Sequence, residues 1–445
     1  MNALGKLMTP SRVLVLGFAM VILFGALLLT LPLATHDGRG LSFLNALFTA
    51  TSAVCVTGLV VVDTATTFTG FGQVVIMLMI QVGGLGFMTF ATMFAFILKK
   101  RITFKERLLL QEALNHVSVE GIVRLFRSVI QISFAIEAIG ALILTIRWSF
   151  DFGFSKALYY GIFHSVSAFN NAGFDLFGNF SSLTGYVGDP IVNITIMLLI
   201  ICGGLGFIVL ADLLGNKGRT IKLHTKIVVQ VSAILILVGA VIIFAIEYAN
   251  PKTLGPLPLG TKVLAALFQS VSPRTAGFNT INIAGMHETT LLSMIGLMFV
   301  GASPGSAGGG IKTTTFISII LSVLSTYRSQ PHVVLKGRTL PKDVIQKAWA
   351  ITTSAAFLIF IIISILSLTE RVDLLTVLFE VTSAFGTVGL SLGITPILSE
   401  IGKMAIILTM FIGRVGPLTL AFVLSQKRHN GADHIKYPDE RIMIG

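Results

Sequence analysis

Four glycines, Gly58, Gly173, Gly277 and Gly389, recur roughly 110 residues apart, each closing a small-residue turn and each followed by Leu or Phe. The turns read Thr51-Ser-Ala-Val-Cys-Val-Thr-Gly-Leu59, Ser165-Val-Ser-Ala-Phe-Asn-Asn-Ala-Gly-Phe174, Ser270-Val-Ser-Pro-Arg-Thr-Ala-Gly-Phe278 and Thr382-Ser-Ala-Phe-Gly-Thr-Val-Gly-Leu390. The chemistry open to such turns is cation handling. Backbone carbonyls in a strained loop replace the hydration shell of an ion, and glycine supplies the positive φ that such a loop needs. One turn of this kind is a weak signal and reads as ordinary helix packing. Four in the same setting predict one ring on a common axis. No ring of Lys or Arg accompanies them, as an anion pathway would usually require. Arg274, inside the third copy, is the exception, and an acid such as Glu380 is its expected partner at membrane depth.

Two further features bear on ion flow. The segment Gly301-Ala-Ser-Pro-Gly-Ser-Ala-Gly-Gly-Gly-Ile-Lys-Thr-Thr-Thr315 interrupts an apolar run. Glycine costs about 1 and proline about 3 kcal/mol in a helix interior, so a continuous helix is not expected there. By sequence this is the only second helix so broken. Gly305, Gly308, Gly309, Gly310 and Lys312 are therefore candidates for a movable obstruction, against the plainer reading of a static break. Arg414 lies in Phe411-Ile-Gly-Arg-Val-Gly-Pro417, within another apolar run. An Arg at membrane depth is costly and marks a functional position by default. A structural pairing with an acid or with loop carbonyls is the alternative.

The elements that must hold these residues are transmembrane helices. Mean hydropathy is +0.89, with 54% hydrophobic and 12% charged residues, against about a quarter charged in soluble domains. Apolar runs of about 20 residues recur, the length that crosses ~30 Å of hydrocarbon. The predicted fold is an all-α integral membrane protein of four tandem helix–pore-loop–helix repeats around a central pore, with eight full spans and four re-entrant pore helices. The repeats occupy 1–100, 101–220, 221–330 (with the broken second helix) and 331–425, and 426–445 forms a tail. Spanning helices are expected near 11–33, 72–98, 126–148, 190–214, 225–249, 288–325, 344–369 and 400–425. Pore helices are expected over 41–52, 156–167, 261–271 and 373–383, too short to span, with their negative C-terminal dipole ends aimed at the axis.

Most of the 32 Lys and Arg fall in the termini and the loops between repeats. The positive-inside rule makes those segments, and both termini, cytoplasmic. The opposite face carries an excess of acids, Asp63 and Asp175 among them, which would concentrate cations. Gly83-Gly-Leu-Gly-Phe87 recurs as Gly203-Gly-Leu-Gly-Phe207, where glycine allows close helix packing. Neither copy continues as a nucleotide loop, and Gly310-Ile-Lys312 fails the Walker spacing. The net charge of +12 is thus a topology signal and not a nucleic-acid surface. Cys55 and Cys202 make no disulfide framework. The absence of H-E-x-x-H and G-x-S-x-G, with His and acids mainly in loops, argues against an enzyme. Glu137 is the one clear acid within a span, which leaves a proton-coupled carrier poorly supported.

At its four turns the chain resembles the Trk/Ktr/HKT superfamily of potassium transporters, and with the first repeat starting almost at Met1 it is most similar to the Ktr membrane subunit. The resemblance implies a K+ selectivity filter at Val56, Thr57 and Gly58, Asn171, Ala172 and Gly173, Thr275, Ala276 and Gly277, and Thr387, Val388 and Gly389. It implies that the segment around Gly305–Lys312 is a gating loop and that Arg414 faces the pore. K+ would be the transported ion, with Na+ as a further possibility and no organic cofactor in this chain. Implied partners are a second copy (a homodimer), a cytosolic ring of nucleotide-binding regulatory subunits docked on the basic inner loops and tail, and membrane lipid. The implied location is the plasma membrane. Gly58, where plant Na+ carriers of the superfamily have serine, fits K+ preference. The alternative is a Na+-coupled or Na+-selective secondary transporter of the same fold.

Overall fold

The computed structural model describes residues 10–86, 122–215, 221–417 and 419. The expected inner loop between the first two repeats, the lower part of the helix expected near 72–98, and the tail lie outside them. The regular elements of the described residues are helices joined by loops, apart from a two-stranded antiparallel hairpin, β1 (Val334–Leu335) and β2 (Arg338–Thr339).

Each repeat begins with a long apolar helix: α1 (Pro10–Leu29), α4 (Ile122–Phe152), α8 (Leu223–Glu247) and α12 (Lys342–Thr369). By length and composition, these four can cross a membrane. Their outward faces carry Met20, Phe24, Leu142, Ile146, Leu237, Val241, Phe357 and Phe360, all exposed. Apolar side chains in rows of this size fit hydrocarbon, not water.

A short helix follows in each repeat: α2 (Phe43–Cys55), α5 (Phe154–Phe169), α9 (Leu259–Val271) and α13 (Leu374–Gly386). Their last turns are buried, as at Val54, Ala168, Val271 and Ala384. At 1.5 Å per residue, they are about 20–24 Å long, short of the ~30 Å that crosses the hydrocarbon.

The second helices are α3 (Gly70–Leu85), α6 (Pro190–Leu205), α10 (Glu288–Phe299) and α14 (Glu400–Val415). Three begin at side-chain caps, Thr69, Asp189 and Ser399, which satisfy orphan N–H groups of the first turn. The two long helices of each repeat are stapled together at these starts. Thr69 Oγ1 donates to Leu33 O at 2.6 Å. Arg147 Nε donates to Asp189 at 2.5 Å. Glu247 accepts from His287 N at 2.9 Å and Thr290 Oγ1 at 2.5 Å, and Glu370 accepts from Ser399 Oγ at 2.6 Å.

One expectation is corrected here. Repeat three is not alone in having an interrupted second helix. α3, α6 and α14 end at Gly86, Gly206 and Gly416, whose φ values of +85°, +97° and +94° no helix accommodates. After Gly206 the chain turns by 102° into α7 (Phe207–Gly215). In repeat three, α10 stops at Phe299 and helix resumes only at α11 (Thr313–Tyr327). These single glycines escape notice because one glycine costs a helix only about 1 kcal/mol, too little to predict a break.

The repeats interlock cyclically. α3 packs on α5, α6 on α9, α10 on α13, and α14 returns to pack on α2 of the first repeat.

Candidate functional site

The four short helices all end where the return loops meet. Val56, Asn171, Thr275 and Thr387 follow or lie just beyond the helix ends with φ of +59°, +59°, +70° and +49°. Three of these are β-branched, for which a left-handed backbone is a true outlier. The next residues, Thr57, Ala172, Ala276 and Val388, return to negative φ, and the glycines are positive again at +89°, +69°, +77° and +93°. Strain of this kind, repeated four times, marks a functional segment held by its surroundings.

The loops close into a ring. A Cβ built on Gly58 would lie 2.5 Å from Ala172 O, one on Gly173 would lie 2.8 Å from Ala276 O, and one on Gly277 would lie 2.5 Å from Val388 O. On Gly389 it would collide with Thr57 O. Each repeat's glycine thus faces the carbonyl just before the next repeat's glycine, and the fourth returns to the first. All eight residues preceding the glycines by one or two positions are fully buried. The twelve predicted positions are therefore brought together at one place.

Sequence reasoning missed what braces the ring. Ser52, Ser167, Ser272 and Ser383 accept through their carbonyls from Thr57 N (2.8 Å), Ala172 N (2.7 Å), Ala276 N (2.9 Å) and Val388 N (2.8 Å). Their hydroxyls act in two ways. Ser52 and Ser383 Oγ accept from Gly58 N and Gly389 N at 3.0 and 3.1 Å. Ser167 donates to Phe174 O at 2.7 Å, and Ser272 donates to Phe278 O. The split follows the residue after glycine, Leu in the first case and Phe in the second. The recurring Ser in each copy was a visible signal. So was a buried polar side chain directly after a buried Phe in each short helix: Thr49, His164, Gln269 and Glu380. His164 Nε2 accepts from Leu176 N at 3.2 Å, and Glu380 accepts from Thr395 Oγ1, so both hold segments beyond the glycines.

On one side the ring opens into a cavity of about 320 Å³, lined by the four glycines together with Asp63, Asp175, Asn279, Asn282, Ser391 and Thr395. Burial pushes the Asp175 carboxyl up to about 6, and the nearby Asp63 charge adds to this against the hydrogen bond from Phe177 N.

On the other side lies the interrupted segment of repeat three. Gly309 N donates to Thr387 Oγ1 at 3.0 Å. The segment docks on repeat two: Ser303 N donates to Gly204 O at 3.0 Å, Ala307 N to Gly203 O at 3.2 Å, and Phe207 N to Gly305 O at 2.8 Å. Lys312 Nζ folds back onto Gly308 O at 2.6 Å and Gly309 O at 3.4 Å. Gly310, with φ +66°, packs on Gly301 and Gly386. Arg414 donates to Ala307 O, Gly83 O and Gly84 O. The two Gly-Gly-Leu-Gly-Phe runs, read as packing sites, thus also supply the carbonyls that hold this segment and Arg414.

Arg274 departs from expectation. Its guanidinium donates to Ser232 Oγ at 3.0 Å and Ser232 O at 3.4 Å, and no ion pair joins it to Glu380. The hydroxyl and carbonyl oxygens of Ser232 on α8 take up two of its donors in place of a carboxylate, and its buried Nε finds no partner among the described residues. Cys55 and Cys202 are free thiols.

Residues 10–432 match the family model described as TrkH, cation transport protein. The chain is 46% identical to the Ktr system potassium uptake protein B of Bacillus subtilis, over 98% of this chain and 97% of that one. It is 41% identical to the protein of the same name from Vibrio alginolyticus (98% and 94%) and 39% identical to the potassium/sodium uptake protein NtpJ of Enterococcus hirae (99% and 98%). Its fold superposes on the crystal structure of the potassium transporter TrkH from Vibrio parahaemolyticus with a TM-score of 0.76 at 18% identity, covering 96% of this chain and 87% of that one. The chain therefore belongs to the TrkH/Ktr family of cation transport proteins, which are membrane ion transporters and not enzymes.

Proposed function

We propose that this chain takes up potassium across the plasma membrane along the axis of the four-loop ring. The observation that carries the reading is the cyclic closure of glycine onto carbonyl through all four repeats. Alternation of positive and negative φ turns successive carbonyl oxygens toward one axis, and such layers substitute for the hydration shell of K+. Val56, Thr57 and Gly58, with their counterparts at 171–173, 275–277 and 387–389, form the filter. The acidic cavity beyond the glycines is the outer mouth, which puts both termini in the cytoplasm. The segment holding Gly305, Gly308, Gly309, Gly310 and Lys312 is the gate, and Arg414 pins it from across the ring. The names of the relatives, potassium uptake proteins of a Ktr system, support K+ as cargo and a multi-component assembly. The chain acts as a homodimer in lipid on a cytosolic nucleotide-binding ring, with no nucleic acid and no organic cofactor of its own.

A second reading keeps the same pathway but lets Na+ drive or share it, and the potassium/sodium name of the Enterococcus hirae relative favours it. One experiment separates them: K+-limited growth and K+ and Na+ uptake in a host without K+ importers, for wild type and Gly58→Ser. Rescue by wild type, with loss of K+ preference in the variant, supports the filter. Equal uptake of both ions by wild type favours the second reading.

A further inference from the structure

Thr387 joins two parts that the proposed mechanism treats separately. Its backbone belongs to the ring, and its hydroxyl accepts the hydrogen bond from Gly309 of the interrupted segment at 3.0 Å. The approach is close on a broad front. A Cβ on Gly309 would lie 2.5 Å from Thr387 Oγ1 and 2.8 Å from its Cγ2, and one on Gly308 would lie 2.9 Å from Thr275 Cβ. Thr275 in turn meets the Asn171 side-chain amide at 3.2 Å. The glycines of the segment are thus fitted against side chains of two ring residues, and Thr387 makes the hydrogen bond.

We propose that Thr387 is a positioning residue that latches the segment shut, so that ring and obstruction are coupled through one hydroxyl. This rests on the filter-and-gate reading and adds to it the atom by which the two communicate. The chemistry requires exclusion. The N–H of Gly309 presents its positive end to Thr387 Oγ1, and a cation beside that oxygen would meet the same positive end. Unlatching therefore accompanies ion passage at the inner end of the ring. The φ of +49° at Thr387 holds the side chain in place, because a β-branched residue in that region has few rotamers open to it.

The test is rubidium flux into proteoliposomes holding the full chain without cytosolic partners, with K+ over Na+ competition measured in parallel. Thr387→Val keeps the shape and removes the acceptor, whereas Thr387→Ser keeps the acceptor. The expected result is a flux about fivefold to tenfold higher for Val, from the loss of one buried hydrogen bond, with Ser, which keeps the acceptor but not the β-branch, rising clearly less than Val. Gly309→Ala, whose methyl would push the segment off Thr387, should raise flux similarly, and the double variant should gain little beyond either alone. Unchanged or lower flux in both Val and Ala variants, with K+ preference intact, overturns the latch and leaves the filter standing. Loss of K+ preference in Val and Ser alike, with no rise in flux, also overturns the latch. A wild-type chain that carries no rubidium while Gly58→Ser changes nothing defeats the filter reading itself.

Discussion

Arg414 of α14 donates a hydrogen bond to the carbonyl of Gly83 at the end of α3, and the same guanidinium reaches Ala307 of the interrupted segment. One cation thereby joins the first, third and fourth repeats directly under the ring. Carbonyls near the C-terminal end of α3 favour a positive group there.

Removing that cation should open the pathway. Arg414→Gln loses both the charge and most of the donors that hold Ala307. K+ uptake at saturating external K+ should rise by up to ~30-fold, the factor set by about 2 kcal/mol of repulsion. Uptake unchanged from wild type at equal membrane abundance would refute a pathway that passes Arg414.

Deleting 305–310 takes away the peptide groups that bond to Gly203 and to Arg414 together. The expected outcome is raised basal flux with little change in K+ over Na+ preference, since no ring residue is itself replaced. Flux at or below wild type in a folded protein would show that the segment does not obstruct flow.

The serine braces should matter to selectivity before they matter to folding. Ser52→Ala and Ser383→Ala each strand the N–H of a ring glycine. A buried donor without a partner costs about 1–3 kcal/mol. Measured as uptake of K+ against competing Na+, preference should fall several-fold, and the melting temperature in detergent should drop by a few degrees. Retained preference in both variants would reduce the serines to packing.

The outer mouth should titrate. Asp175 has its carboxyl raised to about 6, so it is charged above that pH and neutral below. Lowering external pH through 6 removes one negative charge from the cavity wall. At a separation on the order of 10 Å in water, that charge is worth about 0.4 kcal/mol to an entering cation, or about twofold in uptake at limiting K+. Asp175→Asn should show the low rate at every pH and lose this step. A step that persists in the variant would assign it to another group.

Much of the architecture could be read from the chain because it is written four times. The short helices expected over 41–52 and 373–383 run to Cys55 and Gly386, about a turn further. Apolar spacing gives no warning of where a helix exits through a left-handed residue. The ring glycines were evident from type and position. The serines were equally repeated but read as generic small residues. The breaks at Gly86, Gly206 and Gly416 rest on single glycines whose local cost is small. Arg274 could not be assigned, because its partner Ser232 lies on a helix that only the tertiary fold brings near.

The contact of Gly389 with the carbonyl of Thr57 closes the ring within one polypeptide. A ring of separate subunits assembles by mass action and falls apart on dilution. This one forms whenever the chain folds, at any expression level. A defective copy cannot poison the ring of an intact neighbour, and a single substitution alters one quadrant while leaving three unchanged. The four positions can therefore drift apart in sequence, as Val56, Asn171, Thr275 and Thr387 have done, each fitted to its own surroundings.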